Sequence, residues 1–308
     1  MQTSKKMKPT KKHLFLFAAC CLFLSSFLSL AQTPPAGAPK TLKSSGYAPV
    51  NGLKMYYEIH GEGKPVVLLH GSFMNIDMNW GEMIPELAKT HQVIAIEMQG
   101  HGRTTDANRD FTYPQLADDV AGLMKYIKVD SADIIGYSLG GTVAFSLAVR
   151  HPGMVNRLVI ISSVFKMDGW IKSARDLFPT LKPEFFDNTP LKAEYDRLSP
   201  DKSHWKDFVT KLLKLDNTPF DLGASNIKAI KSPLLLVKGD NDGVSMEHTA
   251  EIYSLFDGGV FGDIAGLPQS QLAILPGMTH VTLMMQTQKL VSIIDPYLDR
   301  APKKVQPH

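Results

Sequence analysis

The sequence predicts an α/β fold: a mostly parallel central sheet with helices on both faces, and a helical cap inserted between two parts of the core. Three observations predict it. Short aliphatic runs bounded by turn residues, such as Val66-Val67-Leu68-Leu69, read as strands buried on both faces, and helical stretches lie between them around residues 80–89 and 113–127. Between about Lys166 and Asn226 this alternation stops, and aromatic and charged residues mix at helical spacings. Finally, a serine, an acidic cluster and a histidine each follow the C-terminal end of one of the strands, where an open α/β sheet places its ligand crevice.

In chain order, the first 31 residues read as an export signal. Lys5, Lys6, Lys8, Lys11 and Lys12 form a cationic start, Leu14 to Leu30 is almost wholly apolar, and Ser29-Leu30-Ala31 offers the small residues a signal peptidase requires. Cleavage and a periplasmic or secreted destination are expected; an N-terminal membrane anchor is the alternative, because the apolar run stands at the lower edge of spanning length. A lipoprotein reading fails at Phe17-Ala18-Ala19-Cys20, where phenylalanine replaces the usual leucine and the apolar run continues past the cysteine.

Export changes what composition means. The chain has 33 basic and 30 acidic residues, but five lysines and no acid fall in residues 1–31, so 28 basic residues face 30 acidic ones in the remainder, a net charge of −2. That balance makes no electrostatic case for nucleic acid or an anionic membrane as partner, and no stable membrane association is expected after cleavage. Both cysteines, Cys20 and Cys21, leave with the signal, so the mature chain is expected to be held by its core alone.

Residues 32–46, rich in Pro, Ala, Gly, Ser and Thr, read as a flexible linker. The first part of the core is expected over residues 47–165. Residues 53–60 alternate as a strand does, residues 61–65 form a turn, and the buried strand that follows ends in His70-Gly71-Ser72-Phe73. Residues 92–96 make a second buried strand, ahead of Gly100-His101-Gly102-Arg103-Thr104.

Next comes Ile134-Ile135-Gly136-Tyr137-Ser138-Leu139-Gly140-Gly141, an apolar run that ends in a glycine-flanked serine. A serine hydroxyl is a poor nucleophile in water, so it must be presented at a sharp bend where a histidine takes its proton and backbone N–H groups face the developing oxyanion. Gly136 and Gly140 omit the Cβ atoms that would crowd such a strand-to-helix turn, which makes Ser138 the candidate nucleophile. A serine that merely caps the helix is the plainer alternative.

Residues 156–162 form another strand. The cap is then expected over residues 166–226, where Pro179, Pro183, Pro190 and Pro200 interrupt short helices and Trp170, Phe178, Phe185, Phe186, Tyr195, Trp205, Phe208 and Phe220 supply aromatic surface. Any one of these rings is expected to pack the cap on the core, and some of the set to line a pocket. The second part of the core is expected over residues 227–300. It holds the strand at residues 234–237, ahead of Gly239-Asp240-Asn241-Asp242, and the strand at residues 271–275, ahead of Gly277-Met278-Thr279-His280. Residues 301–308 form a short basic tail expected to be disordered. Asp240, Asp242 and Glu251 match three positions of an EF-hand loop, but Val244 and Ser245 replace the ligand and the glycine it requires.

With these pieces in this order, the chain resembles the α/β-hydrolase superfamily from about Val50 to Leu298, most weakly in the cap. The matching motifs are His70-Gly71, Gly100-His101-Gly102-Arg103-Thr104, the elbow around Ser138, Gly239-Asp240-Asn241-Asp242 and Gly277-Met278-Thr279-His280. The similarity is to small capped members: carboxylesterases, lactonases, carbon–carbon bond hydrolases and cofactor-free haloperoxidase-like enzymes. A serine at the elbow disfavours the branches that use aspartate there. The resemblance implies a triad of Ser138, His280 and Asp242, with Asp242 preferred to Asp240 because it stands three residues after the glycine that ends the strand. It implies an oxyanion hole from the backbone N–H of Leu139 and of Ser72, with Phe73 as the alternative to Ser72, and it gives His70 and His101 structural, loop-fixing roles. One departure is Glu97-Met98-Gln99, where the family has an aspartate and an arginine before Gly-His-Gly; a changed anchoring of that loop is expected. The implied activity is hydrolysis of a small or medium carboxylic ester or lactone through an acyl-enzyme, with no metal or organic cofactor. A lactonase or perhydrolase with the same triad, and a non-catalytic small-molecule binder, are the alternatives. Oligomeric state is not legible.

Overall fold

The computed structural model describes residues 41–300. The export signal, most of the linker and the C-terminal tail lie outside the described residues. Eight strands form one sheet: β1 (Leu42–Val50), β2 (Leu53–His60), β3 (Lys64–Leu69), β4 (His91–Ile96), β5 (Ala132–Tyr137), β6 (Val155–Ile161), β7 (Leu234–Asn241) and β8 (Gln271–Thr279). Their spatial order is β1-β2-β4-β3-β5-β6-β7-β8, with β1 and β2 antiparallel to their neighbours and the rest parallel. Side chains alternate across this sheet. Val67, Leu69, Ile94, Ile96, Ile134, Leu158 and Ile160 face the helices Tyr113–Tyr126 and Leu139–Arg150, and Val66, Leu68, Val93, Ala95, Ile135, Val159 and Ile161 face the other layer, with the helix Thr287–Leu298. Burial on both faces is what makes these strands continuous aliphatic runs.

The structure corrects four boundaries. Residues 42–46, expected to be linker, belong to β1; this edge strand is exposed on both sides over Leu42–Ser45 and so carries no apolar alternation. A single helix expected over residues 80–89 is two short ones, Ile76–Trp80 and Ile84–Leu87, because Pro85 has no N–H to continue the ladder. Strand β8 runs beyond Leu275 to Thr279, through Pro276, which an edge strand paired only with β7 tolerates. The helix Ala224–Ala229 straddles the expected end of the cap at residue 226.

The cap segment leaves and rejoins the core at one neck. There Met167 N–H donates to Phe220 O at 2.9 Å and Leu222 N–H to Phe165 O at 2.9 Å. Between these points lie the helices Lys172–Leu177, Pro190–Leu198 and Trp205–Asn217, with 3-10 turns between them. Phe208 anchors the last of these helices, packing against Tyr195, Trp205, His101 and Phe111 with ring centroids 4.8–6.2 Å apart. Ion pairs supplement the rings: Lys211 meets Asp106 at 2.6 Å and Arg197 meets Asp77 at 2.7 Å.

Two predictions follow from this packing. A Cβ at Gly140 would sit 2.1 Å from Leu69 O, a backbone atom that cannot step aside. Gly140→Ala is therefore expected to cost roughly 3 kcal/mol or more, read as a large fall in Tm or as insoluble protein; a Tm within 2 °C of wild type, on the order of the shift that ~1 kcal/mol produces, would show that the helix can shift. Phe208→Ala, at a ring only 3% exposed, is expected to cost about 3–5 kcal/mol by denaturant titration.

Candidate active site

Ser138 stands between β5 and the helix Leu139–Arg150 with φ 52° and ψ −117°, a left-handed conformation that strains any residue with a Cβ. The bend is held from both sides: Ser138 N–H donates to Ile161 O at 3.0 Å, and Ser138 O accepts from Gly141 N–H at 2.9 Å and from Ser163 Oγ at 2.7 Å. Close packing enforces it, since a Cβ on Gly136 would lie 2.3 Å from Gly140 O. The helix-cap alternative is not what the structure contains, because the Ser138 side chain makes no capping hydrogen bond. Its Oγ instead lies 3.0 Å from His280 Nε2.

The other imidazole nitrogen, His280 Nδ1, lies 2.9 Å from Asp242 Oδ1. Since Nδ1–H donates to the carboxylate, Nε2 is left as the acceptor that faces Ser138. The aspartate is buried, and burial alone would raise its carboxyl. The hydrogen bond and charge of His280, with donors from Ser162 Oγ at 2.5 Å and Val244 N–H at 3.0 Å, overcome that penalty and hold it down at about 2. Asp240 does something else. It is exposed, and its Oδ1 accepts from Met278 N–H at 3.1 Å, which ties the end of β7 to the strand that carries the histidine. Glu251 turns away to Lys166 and His248, so the three EF-hand positions do not converge.

His280 is framed by aromatic rings. Tyr137, inside the elbow, donates its hydroxyl to His280 O at 3.0 Å and packs its ring 5.2 Å from the imidazole. Trp170 stands edge-on to the imidazole at 5.4 Å, with Phe178 edge-on behind it at 5.6 Å. Away from the imidazole, Phe73 of the loop after β3 stacks on Phe186 of the cap at 4.7 Å. Gly71 brings that loop against the elbow, because a Cβ there would lie 3.5 Å from Ser138 Cβ. Among the described residues, the backbone N–H groups of Ser72, Phe73 and Leu139 donate to no protein acceptor, which leaves all three free for a ligand oxygen.

The two buried histidines fix loops. His70 donates from Nδ1 to Gly71 O at 2.9 Å and accepts from Met98 N–H at Nε2, while burial and the neighbouring His101 push its imidazole well below the usual histidine range. His101 donates to Gln99 O at 2.9 Å, and burial pushes it down to about 4. The Glu97-Met98-Gln99 departure also resolves into an anchor. Buried Glu97 accepts from Arg103 N–H at 2.5 Å and from Arg103 Nη1 at 2.6 Å, and Gln99 bridges Asp106 and Arg109. Burial pushes the Glu97 carboxyl up, to about 7, against the pull of Arg103.

Ser162, Tyr137 and Lys238 were not singled out from sequence. Ser162 had a signal, since it follows the buried strand β6 as Ser138 follows β5. Lys238 had none; it is a buried lysine within β7 whose Nζ donates to Val244 O at 2.6 Å.

The sequence profile of the family described as alpha/beta hydrolase fold matches residues 64–217, half of the chain. The chain belongs to the α/β-hydrolase family. The 2-hydroxymuconate semialdehyde hydrolase of Pseudomonas sp. (strain CF600) is 38% identical over 119 residues, which are 36% of this chain and 41% of that protein. The chain thus matches about two fifths of the length of that relative. Among solved structures, a membrane phospholipase A superposes with a TM-score of 0.69 at 20% identity, covering 93% of this chain and 97% of that one. The enol-lactonase from Burkholderia xenovorans LB400 superposes with a TM-score of 0.62 at 22% identity, covering 82% of this chain and 100% of that one. At these identities the structural likeness speaks for the fold.

The geometry separates the two aspartates. Asp242→Ala is expected to slow labelling of Ser138 by a fluorophosphonate by on the order of 10⁴-fold, whereas Asp240→Ala should leave it within about tenfold. The opposite ranking would reassign the acid.

Proposed function

We propose that this α/β-hydrolase family member is an exported serine hydrolase that cleaves small or medium carboxylic esters through Ser138, His280 and Asp242. The observation that carries the reading is the hydrogen-bonded relay from Ser138 Oγ to His280 Nε2 at 3.0 Å and from His280 Nδ1 to Asp242 Oδ1 at 2.9 Å. In the proposed reaction Ser138 Oγ attacks the ester carbonyl carbon while His280 Nε2 takes its proton. The carbonyl oxygen becomes an oxyanion held by the N–H groups of Leu139 and Ser72. Collapse of the tetrahedral adduct breaks the bond to the alcohol, to which His280 returns the proton. Water, deprotonated by the same imidazole, then releases the acid from the acyl-enzyme. Asp242 stays ionised throughout, orienting the imidazole and stabilising its cation.

The ester preference rests on Ser138 as the proposed nucleophile and on Trp170, with Phe178 behind it, standing against His280, aromatic surface that suits an apolar acyl or alkyl part. Export rests on residues 1–31. A second reading, hydrolysis of an oxo-dienoic acid, draws on the name of a relative 30% identical over 137 residues, the 2-hydroxy-6-oxo-6-(2'-aminophenyl)hexa-2,4-dienoic acid hydrolase of Metapseudomonas resinovorans.

The deciding assay compares protein from residue 32 onward with its Ser138→Ala variant, on p-nitrophenyl esters of increasing chain length, on simple lactones and on a vinylogous keto acid. Ester turnover in the wild type, lowered roughly 10⁴-fold or more in Ser138→Ala, is the expected outcome. Turnover of the keto acid alone would favour the second reading, and ligand binding without turnover in well-folded protein would favour a binding role. Trp170→Ala is expected to change the chain-length profile; an unchanged profile would make that ring a packing element.

A further inference from the structure

The carboxylate of Asp242 has two oxygens, and the relay uses one of them. The second, Oδ2, accepts from Ser162 Oγ at 2.5 Å in a setting where the Asp242 side chain is wholly buried. Ser162 is the residue immediately after β6, itself 1% exposed, and its N–H donates to Val237 O at 2.8 Å on the next strand. Its backbone has φ 49°, a left-handed conformation that glycine adopts freely and that strains a residue with a Cβ. A buried position with this backbone would be more stable as glycine, unless the side chain does something glycine cannot.

We propose that Ser162 is a positioning residue for the triad: its hydroxyl holds Oδ2 of Asp242 so that Oδ1 faces His280 Nδ1, and it supports the aspartate as an anion in a site closed to water. The proposal rests on the hydrolase reading above and extends it. The carboxylate needs several donors because it is buried. It has Ser162 on one oxygen, and His280 and Val244 N–H on the other. Val244 is held in turn by Lys238, whose Nζ donates to Val244 O at 2.6 Å. The loop 242–244 is thus clamped at its backbone, and the hydroxyl of Ser162 is the side-chain contact that sets the rotation of the carboxyl group about its own axis. Remove it, and Oδ2 loses its donor, so the carboxyl is held through Oδ1 alone and its alignment with the imidazole loosens.

Glycine makes a discriminating test, because Ser162→Gly relieves the backbone strain while deleting the hydroxyl. The full chain, its Ser162→Gly variant and its Ser162→Ala variant would be compared by thermal melting, by ester kinetics across pH, and by the low-field proton resonance of His280 Nδ1–H. The expected result is a Ser162→Gly protein with a Tm equal to or above wild type and a kcat lowered at least tenfold at unchanged KM. Its pH–rate profile should differ from wild type, and its Nδ1–H resonance should shift or exchange away. Ser162→Ala should show the same kinetics with a lower Tm. A Ser162→Gly protein with wild-type kcat, pH profile and resonance would overturn the proposal and leave Ser162 as a packing residue. The resonance is read without turnover. If the wild type cleaves no ester, the hydrolase reading fails, while a resonance that moves in Ser162→Gly still supports the clamp and an unmoved one still rejects it.

Discussion

The approach of the helix Leu139–Arg150 to strands β3 and β5 is the contact on which the rest of the arrangement depends. With Gly140 lying against Leu69 O and Gly136 against Gly140 O, backbone meets backbone with no side chain between them. This closeness forces the chain to turn within a single residue, and Ser138 takes the strain of that turn in its φ of 52°. The same turn brings the serine hydroxyl within 3.0 Å of His280 Nε2.

Asp242 and His280 come from the far edge of the sheet and are held by a different kind of force. The carboxyl of Asp242 loses its water on burial, and three groups, His280, Ser162 and Val244, compensate for that loss and hold it as an anion. His280 stands partly exposed at the end of an edge strand, where backbone pairing is weakest. It is steadied by Asp242 through its ring, by Tyr137 through its carbonyl, and by the tie from Asp240 to Met278. Ser138 is thus fixed by steric packing and His280 by hydrogen bonds. In the reaction proposed here that division is useful, because the imidazole must accept and release a proton while the serine must not move.

The cap meets the site through the loop that carries the acid. Ile171 N–H donates to Gly243 O at 2.8 Å and Ser245 N–H to Gly169 O at 2.9 Å, so the start of the cap is stitched to the residues just after Asp242. Trp170, between these two bonds, is the ring that faces His280. A displacement of the cap at this neck would therefore be felt at the acid and the base together. The far side of the cap is joined to the core by buried rings and by ion pairs such as Lys211 with Asp106, contacts of longer side chains that constrain it less tightly.

Much of this was legible in the chain itself. The aliphatic runs of β3 to β7 announce a sheet buried on both faces, and each strand end with its glycine-bounded motif announces where chemistry gathers. Ser138 stands out from its glycine-flanked position after β5, and the family resemblance singles out Asp242 and His280 after β7 and β8 as its proposed partners. The local pattern carries this information because strand burial and tight turns restrict residue type at the position itself. What only the tertiary structure decided is set by partners remote in sequence. β1 reads as linker because an exposed edge strand owes its shape to pairing with β2 and to no apolar pattern of its own. That Asp242 contacts His280, 38 residues further on, while Asp240 ties the end of β7 to Met278, is set by how β7 and β8 pair. Ser162, 80 residues before the aspartate it contacts, becomes meaningful only once β6 and β7 lie side by side, because a hydrogen bond between side chains leaves no periodic trace along the chain.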